Sequence, residues 1–177
     1  YRCPGLMTDA YSRVPPCNMS IMSRTRHPAQ LDDAALLADC DVQRTRRSGP
    51  GGQHRNRSST AVVLIHRPTG LRVEASERRS QAQNQRAALR RLRVKLAIEH
   101  RESADDAPGD LWQSRCRAGR IVINASHEDF APLLAEAIDV LAESEWDPSL
   151  AADRLGCSTS QLIKLLRHES AALAKVN

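Results

Sequence analysis

The sequence is poor in aromatic residues, in cysteine patterns and in long apolar runs. It contains only two Trp, two Tyr and one Phe, so we do not expect large stacking platforms for nucleobases. Its five cysteines are odd in number and scattered, without Cys-x-x-Cys or Cys/His ligand spacing, which argues against a disulfide framework and a zinc site. No apolar run is long enough to span a membrane. Scattered thiols fit a reducing compartment, so we predict a cytoplasmic protein. We also expect the protein to use no metal and no cofactor.

The net charge of +5 conceals a strong asymmetry along the chain. Residues 41–101 hold 15 Lys and Arg against 4 Asp and Glu, whereas residues 121–177 hold 4 against 9. A dense basic segment is the footprint expected of a surface that contacts nucleic acid. A merely solvated basic face is the simpler alternative.

A glycine-rich stretch lies inside this basic segment. Gly51 and Gly52 free the backbone for positive φ and for close approach to a ligand, and Pro50 stiffens the start of the turn. Gln53 then offers a side-chain amide and a backbone N–H, which can hold a water or an oxyanion without any titrating residue. Arginines on both sides favour a polyphosphate chain as the ligand.

Three blocks of sequence follow one another here at a defined spacing. They read Arg46-Arg47-Ser48-Gly49-Pro50-Gly51-Gly52-Gln53-His54-Arg55-Asn56-Arg57, then Thr60-Ala61-Val62-Val63-Leu64-Ile65-His66-Arg67-Pro68-Thr69-Gly70, then Arg79-Ser80-Gln81-Ala82-Gln83-Asn84. Together they resemble the Gly-Gly-Gln domain of class I peptide chain release factors and of related short, codon-independent ribosome-rescue peptidyl-tRNA hydrolases. The resemblance covers residues 40–100. Arg55 and Arg78 depart from the family pattern, and both add positive charge.

The resemblance implies an enzyme that hydrolyses the ester of peptidyl-tRNA in the ribosomal peptidyl-transferase centre. Gly51, Gly52 and Gln53 are then the catalytic residues, and Gln53 is also a candidate for methylation by a glutamine methyltransferase. The implied partners are large-subunit rRNA and peptidyl-tRNA, with the protein acting as a monomer. The residues expected to contact RNA are Arg44, Arg46, Arg47, His54, Arg55, Asn56, Arg57, Arg79, Arg86, Arg90 and Arg93.

Stop-codon reading is not expected, because residues 1–39 read as a tail and one helix and leave no room for the decoding domains that the family's codon readers carry. The function predicted from the resemblance is therefore ribosome rescue. Two alternatives stay open. One is a ribosome- or RNA-binding protein that keeps the fold without hydrolysis, and the other is a nucleic-acid-binding regulator that acts through the C-terminal part.

The pattern of apolar residues predicts an α+β protein in four parts. Residues 1–27 read as a disordered tail, for which a transit peptide is the minor alternative. Residues 28–101 form the Gly-Gly-Gln domain, with a small mixed sheet and one long packing helix. Residues 102–120 read as a linker, and residues 121–177 as an acidic, all-helical module.

The end of that module has the pattern of a helix-turn-helix. A short helix over residues 149–155 precedes Gly156, and Ser158 can cap the next helix. Contact with DNA or RNA through the second helix is one interpretation. Because that helix offers only Lys164 and Arg167, a small three-helix packing unit, or one that docks on a protein, is the favoured alternative.

Overall fold

The structure, a computed structural model, describes residues 26–45 and 60–176 of the 177-residue chain. The amino-terminal tail prediction therefore lies outside the described residues for positions 1–25. The described elements are a 3-10 turn at Pro28–Gln30, α1 (Asp33–Ala38), β1 (Cys40–Thr45), β2 (Ala61–His66), β3 (Arg72–Ala75), α2 (Gln81–Glu99), α3 (Asp110–Arg115), β4 (Cys116–Arg117), β5 (Arg120–Ile121), α4 (Phe130–Glu143), α5 (Pro148–Arg154), α6 (Thr159–Leu166) and α7 (Ser170–Leu173).

A three-stranded sheet in the order β1-β2-β3 forms the first layer. Both pairings are antiparallel, with Arg44 opposite Val62 and Val62 opposite Ala75. We expected a mixed sheet; antiparallel neighbours follow from the short connection through Pro68, Thr69 and Gly70, which turns the chain straight back. The α+β class predicted from the sequence is confirmed.

The long helix α2 covers one face of this sheet. No Gly or Pro interrupts it, and Ala88, Leu92 and Leu96 recur every fourth residue with no exposed surface. Ser80 occupies the N-cap position of α2, but its side chain makes no capping hydrogen bond. The helix buries its apolar stripe against β2 and β3 on one side and against α4 on the other.

The helical part is centred on α4, of whose 14 residues 11 are buried. Pro132 lies in its first turn, where a missing N–H costs nothing. Asp147 caps α5 and Ser158 caps α6 through their side chains, and the Ser158 cap was predicted from the sequence. One continuous apolar core joins Leu64 of the sheet to Leu92, Leu134 and Leu162 of the helices.

Two stretches hold more structure than the patterns indicated. The helix predicted over residues 29–38 divides into the 3-10 turn and α1, because the Asp32 side chain accepts from the Ala35 N–H and starts a new helix there. Residues 102–120, which we predicted as a linker, contain α3 and most of a β4–β5 hairpin. The proposed domain boundaries themselves stay a prediction.

Candidate functional site

The glycine-rich segment connects β1 to β2. Its predicted catalytic residues, Gly51, Gly52 and Gln53, lie outside the described residues. The same holds for six of the predicted RNA contacts, which are Arg46, Arg47, His54, Arg55, Asn56 and Arg57. The structure describes both ends of the connection, where Thr45 pairs directly with Ala61. The two ends of the glycine-rich segment therefore lie next to each other, at one end of the β1–β2 pair.

Asn84 holds the root at which the segment enters β2. Its side chain is fully buried, and its Nδ2 donates to the carbonyl oxygens of Thr60 at 2.6 Å and Arg78 at 2.9 Å. Its Oδ1 accepts from the Arg78 N–H at 2.9 Å. One amide thus ties the loop root to the turn before α2. A pattern in the sequence indicates this role, because Asn84 is a polar residue in register with the apolar series of Ala88 and Leu92.

His66 lies at the opposite end of β2 from Thr60 and makes its contacts within its own turn. Its Nδ1 is 2.8 Å from the Thr69 hydroxyl, and its carbonyl accepts from the Gly70 N–H at 2.7 Å. Burial lowers the pKa of His66, with the positive charge of Arg67 a smaller cause in the same direction. A neutral, hydrogen-bonded imidazole there stabilises the turn, as we expect of a structural histidine.

A basic groove runs along the first half of α2. Its volume is about 520 Å³, and its lining includes Arg78, Arg86, Arg90 and Arg91. The Arg91 guanidinium is bound to the Glu77 carboxylate at 2.8 Å. In the described part of the chain, no hydrogen bond or ion pair engages the guanidinium groups of the other three. Sequence reasoning omitted Arg78 from the expected RNA contacts, although it noted the added charge.

The remaining described RNA candidates differ in how free they are. Arg44 and Arg79 are exposed, and within the described ranges neither forms an ion pair. Arg93 instead points to Asp33, with 2.8 Å between Nη2 and Oδ1, and only 13% of its side chain is exposed. That partner lies 60 residues away in sequence, so no local pattern could have revealed it. Arg86 and Arg90 are thus better placed for a ligand than Arg93.

Within 26–45 and 60–176, no three His, Cys, Asp or Glu side chains converge as a metal ion would require. Over the same ranges, every helix is too short or too polar to cross a bilayer. The described site combines two features. Asn84 clamps the root of the glycine connection, and the guanidinium groups of Arg78, Arg86 and Arg90 line a groove without ion pairs in the described part of the chain.

Part of the chain is similar in sequence to known proteins. The RF-1 domain model matches residues 35–122. Mitochondrial peptide chain release factor 1 of Bos taurus is 44% identical over 70 residues, which are 40% of this chain and 16% of that protein. Peptide chain release factor 1 of Burkholderia multivorans is 33% identical over 108 residues, 60% of this chain and 29% of that protein.

The chain matches less than a third of the length of these relatives. The residues that the RF-1 domain model matches nevertheless carry the three sequence blocks, the sheet and α2. Through this RF-1 domain, the chain belongs to the class I peptide chain release factor family.

Proposed function

We propose that this protein hydrolyses the ester bond of peptidyl-tRNA on the large ribosomal subunit and does so without reading a stop codon. The observation that carries the proposal is the Gly51-Gly52-Gln53 block on a connection whose root is clamped by buried Asn84. Support also comes from the release factor 1 relatives named above. The codon-independent part follows the expectation drawn from the sequence.

In this proposal the protein positions the attacking water and stabilises the negative charge that forms during hydrolysis. The backbone N–H of Gln53 donates to the oxyanion that forms when water attacks the ester carbonyl. Its side chain narrows the site so that water enters and larger nucleophiles do not. One preorganised donor of this kind contributes about 10²–10³ in rate. Gly51 and Gly52 supply the backbone freedom that a crowded RNA cavity demands.

Unpaired cations next to the clamped root would bind rRNA phosphates. Arg78, Arg79, Arg86 and Arg90 form this group, which we call the α2 arginines. Arginine suits the task because its planar fork can donate two hydrogen bonds to one phosphate. The proposed partners are therefore large-subunit rRNA and peptidyl-tRNA, met by a single copy of the protein in the cytoplasm, with Gln53 open to methylation.

The deciding experiment measures release of labelled peptide from ribosomes that carry peptidyl-tRNA. The A site holds no codon, a sense codon or a stop codon. Gln53→Ala and Gly52→Ala are compared with Gln43→Ala, a matched change at an exposed position on β1. We expect release under all three conditions, at least about 10²-fold slower in Gly52→Ala, because a Cβ there restricts the backbone that presents the Gln53 N–H, and unchanged in Gln43→Ala. Gln53→Ala keeps this N–H, so it should still hydrolyse the ester but should also admit nucleophiles larger than water.

Each other outcome has a defined meaning. Release at the stop codon alone contradicts codon independence but keeps the hydrolase. No release by the unmodified protein, together with salt-sensitive ribosome binding, selects the alternative of an RNA-binding protein that keeps the fold. The α2 arginines favour that alternative over a wholly unrelated function, because they supply phosphate contacts with or without hydrolysis.

A further inference from the structure

The β4–β5 hairpin lies against the beginning of α6. The Gly119 carbonyl accepts from the Ser158 N–H at 3.3 Å, and Gln161 Oε1 accepts from the Ile121 N–H at 3.4 Å. Positive φ angles at Ala118 and Gly119, 49° and 73°, make the tight turn that joins the two strands. The hairpin and the second helix of the helix-turn-helix therefore form one continuous surface, which we call the hairpin–helix surface.

The helix-turn-helix beneath this surface is firmly built. Gly156 adopts φ +64° after α5, and the Cys157 N–H bonds back to the Ala152 carbonyl, which is the hydrogen bond of a Schellman turn. Buried Trp112 of α3 donates from Nε1 to the Leu155 carbonyl at 2.8 Å. The turn between the two helices is thus anchored from the same segment that carries the hairpin.

Four cations face outward on this surface. Arg117 and Arg120 are exposed on the hairpin, Lys164 is exposed on α6, and Arg167 is exposed at the C-cap of that helix. Ser160, Lys164 and Arg167 follow at intervals of four and three residues and so share one side of the helix. That side is opposite the buried Leu162, Leu165 and Leu166. Over the described ranges, none of the four cations takes part in an ion pair.

Most acidic groups of the helical part have hydrogen-bond or ion-pair partners within the fold. Five of them have internal partners: Asp129 binds Arg115, Glu136 accepts from the Gly109 N–H, Asp139 binds Arg101, Glu143 binds Arg154, and Asp147 caps α5. Those without such a partner in the described structure are Glu128, Glu145, Asp153 and Glu169. Neither the hairpin nor α6 contains an acidic residue, so the charged side chains of these two elements are all cations.

We propose that the hairpin–helix surface binds the phosphate backbone of double-helical RNA. Its cations and the Ser160 hydroxyl are phosphate donors, and a helix flanked by a hairpin can lie across the wide, shallow minor groove of an RNA duplex and contact the phosphates on either side. The hairpin and α6 contain no aromatic residue, so base stacking does not contribute. RNA is the expected nucleic acid because the RF-1 domain places the chain in a translation factor family. The proposal goes beyond hydrolysis and does not require it.

The test uses the full chain and a labelled RNA duplex of about 16 base pairs, the length that a shape-reading RNA domain spans. Binding is titrated over a range of salt concentrations. The variant Arg117→Ala/Arg120→Ala/Lys164→Ala/Arg167→Ala is expected to reduce the slope of log affinity against log salt by about 3 to 4, close to one per lost phosphate contact. Single Lys164→Ala should reduce it by about 1, and Lys175→Ala is the matched control without effect.

Several outcomes would overturn the proposal. An unchanged salt slope in the fourfold variant, with its circular dichroism spectrum and thermal midpoint intact, removes the surface from RNA binding. Equal affinity for a DNA duplex of the same sequence contradicts the choice of RNA. If all slope loss follows Arg86→Ala/Arg90→Ala instead, the α2 arginines account for binding alone. Gln53→Ala should bind like the unmodified protein, so a failure of hydrolysis leaves this test unaffected.

Discussion

The sheet part and the helical part of the molecule hold their irregular segments in different ways. Around the sheet, buried polar side chains do so: Asn84 ties two loops together, and His66 closes the turn before β3. Among the helices, the irregular segments are held mainly by the ends of the helices, through side-chain caps at Asp147 and Ser158 and a left-handed glycine at Gly156. Long-range loops need side chains that reach across the fold, whereas successive helices need only local backbone geometry.

The largest expected effect is that of removing the side-chain clamp. Asn84→Ala leaves the Thr60 and Arg78 carbonyls and the Arg78 N–H without their partner. Because buried unpaired polar groups keep their desolvation cost, we expect the free energy of unfolding to fall by about 3 kcal/mol. Urea denaturation measures it, and exposed Gln83→Ala is the control, with a change within about 0.5 kcal/mol. A loss below about 1 kcal/mol would contradict the clamp.

A pH-dependent effect of intermediate size is expected at His27, where the two parts meet. Its Nδ1 accepts from the Ala29 N–H, and its Nε2 lies 3.4 Å from the His100 carbonyl. Burial lowers the pKa of His27 from 6.5 to about 4, and the hydrogen bond to the His100 carbonyl only partly offsets it. The unfolded chain therefore binds a proton between pH 6.5 and 4 that the folded protein does not, so His27 contributes stability above this window and loses it as the pH falls.

His27→Asn retains an acceptor for the Ala29 N–H but does not titrate. We expect it to be less stable than the unmodified protein by about 1–2 kcal/mol at pH 7, with the difference shrinking as the pH falls toward 4. Burial raises the pKa of Asp139 to about 6 despite the charge of Arg101, which favours the folded state in acid. That contribution is common to both proteins and cancels in the difference. A difference that stays constant from pH 7 to 4 would show that His27 does not act in this way.

The smallest effect is expected where the helical part depends on backbone conformation. Gly156→Ala places a Cβ in empty space, with nothing within 4 Å, but at φ +64°. The cost is therefore that of the left-handed conformation alone, about 1 kcal/mol. Gly109→Ala is the matched control, because Gly109 has φ −65° and its added Cβ would meet the Glu136 carboxylate at an ordinary 3.5 Å. Equal thermal midpoints for the two variants would contradict this explanation.

The parts of the fold that sequence could predict are those set by neighbours along the chain. The apolar run from Ala61 to Ile65 predicts β2, and the uninterrupted apolar stripe predicts α2. The β4–β5 hairpin could not be predicted, because two-residue strands show no alternation and Ala118-Gly119 is a weak turn signal. Our interpretation of the helix-turn-helix as a packing unit counted only the cations of α6 for the same reason.

In the candidate site, too, features set by neighbouring residues could be predicted and features set by tertiary packing could not. The three blocks of sequence predicted the glycine connection and its arginines, since each block is contiguous. The pairing of Arg93 with Asp33 and the reach of Asn84 to Thr60 span 60 and 24 residues. Such contacts depend on how the sheet and helices pack, which a periodic pattern does not contain. The hairpin–helix surface likewise combines cations that lie up to 50 residues apart in the numbering, from Arg117 to Arg167.

The apolar core that runs without a break from Leu64 through Leu92 and Leu134 to Leu162 has a geometric consequence. It joins β2, whose first residues follow the glycine connection, to the helix that carries Lys164, so no solvent-filled gap separates the two parts of this core. A hinged protein could adjust the separation of two contacts to fit many partners. Under the two RNA-binding proposals, such a core would hold both contacts at one separation, and the protein would fit an RNA assembly whose two contact points lie at that distance.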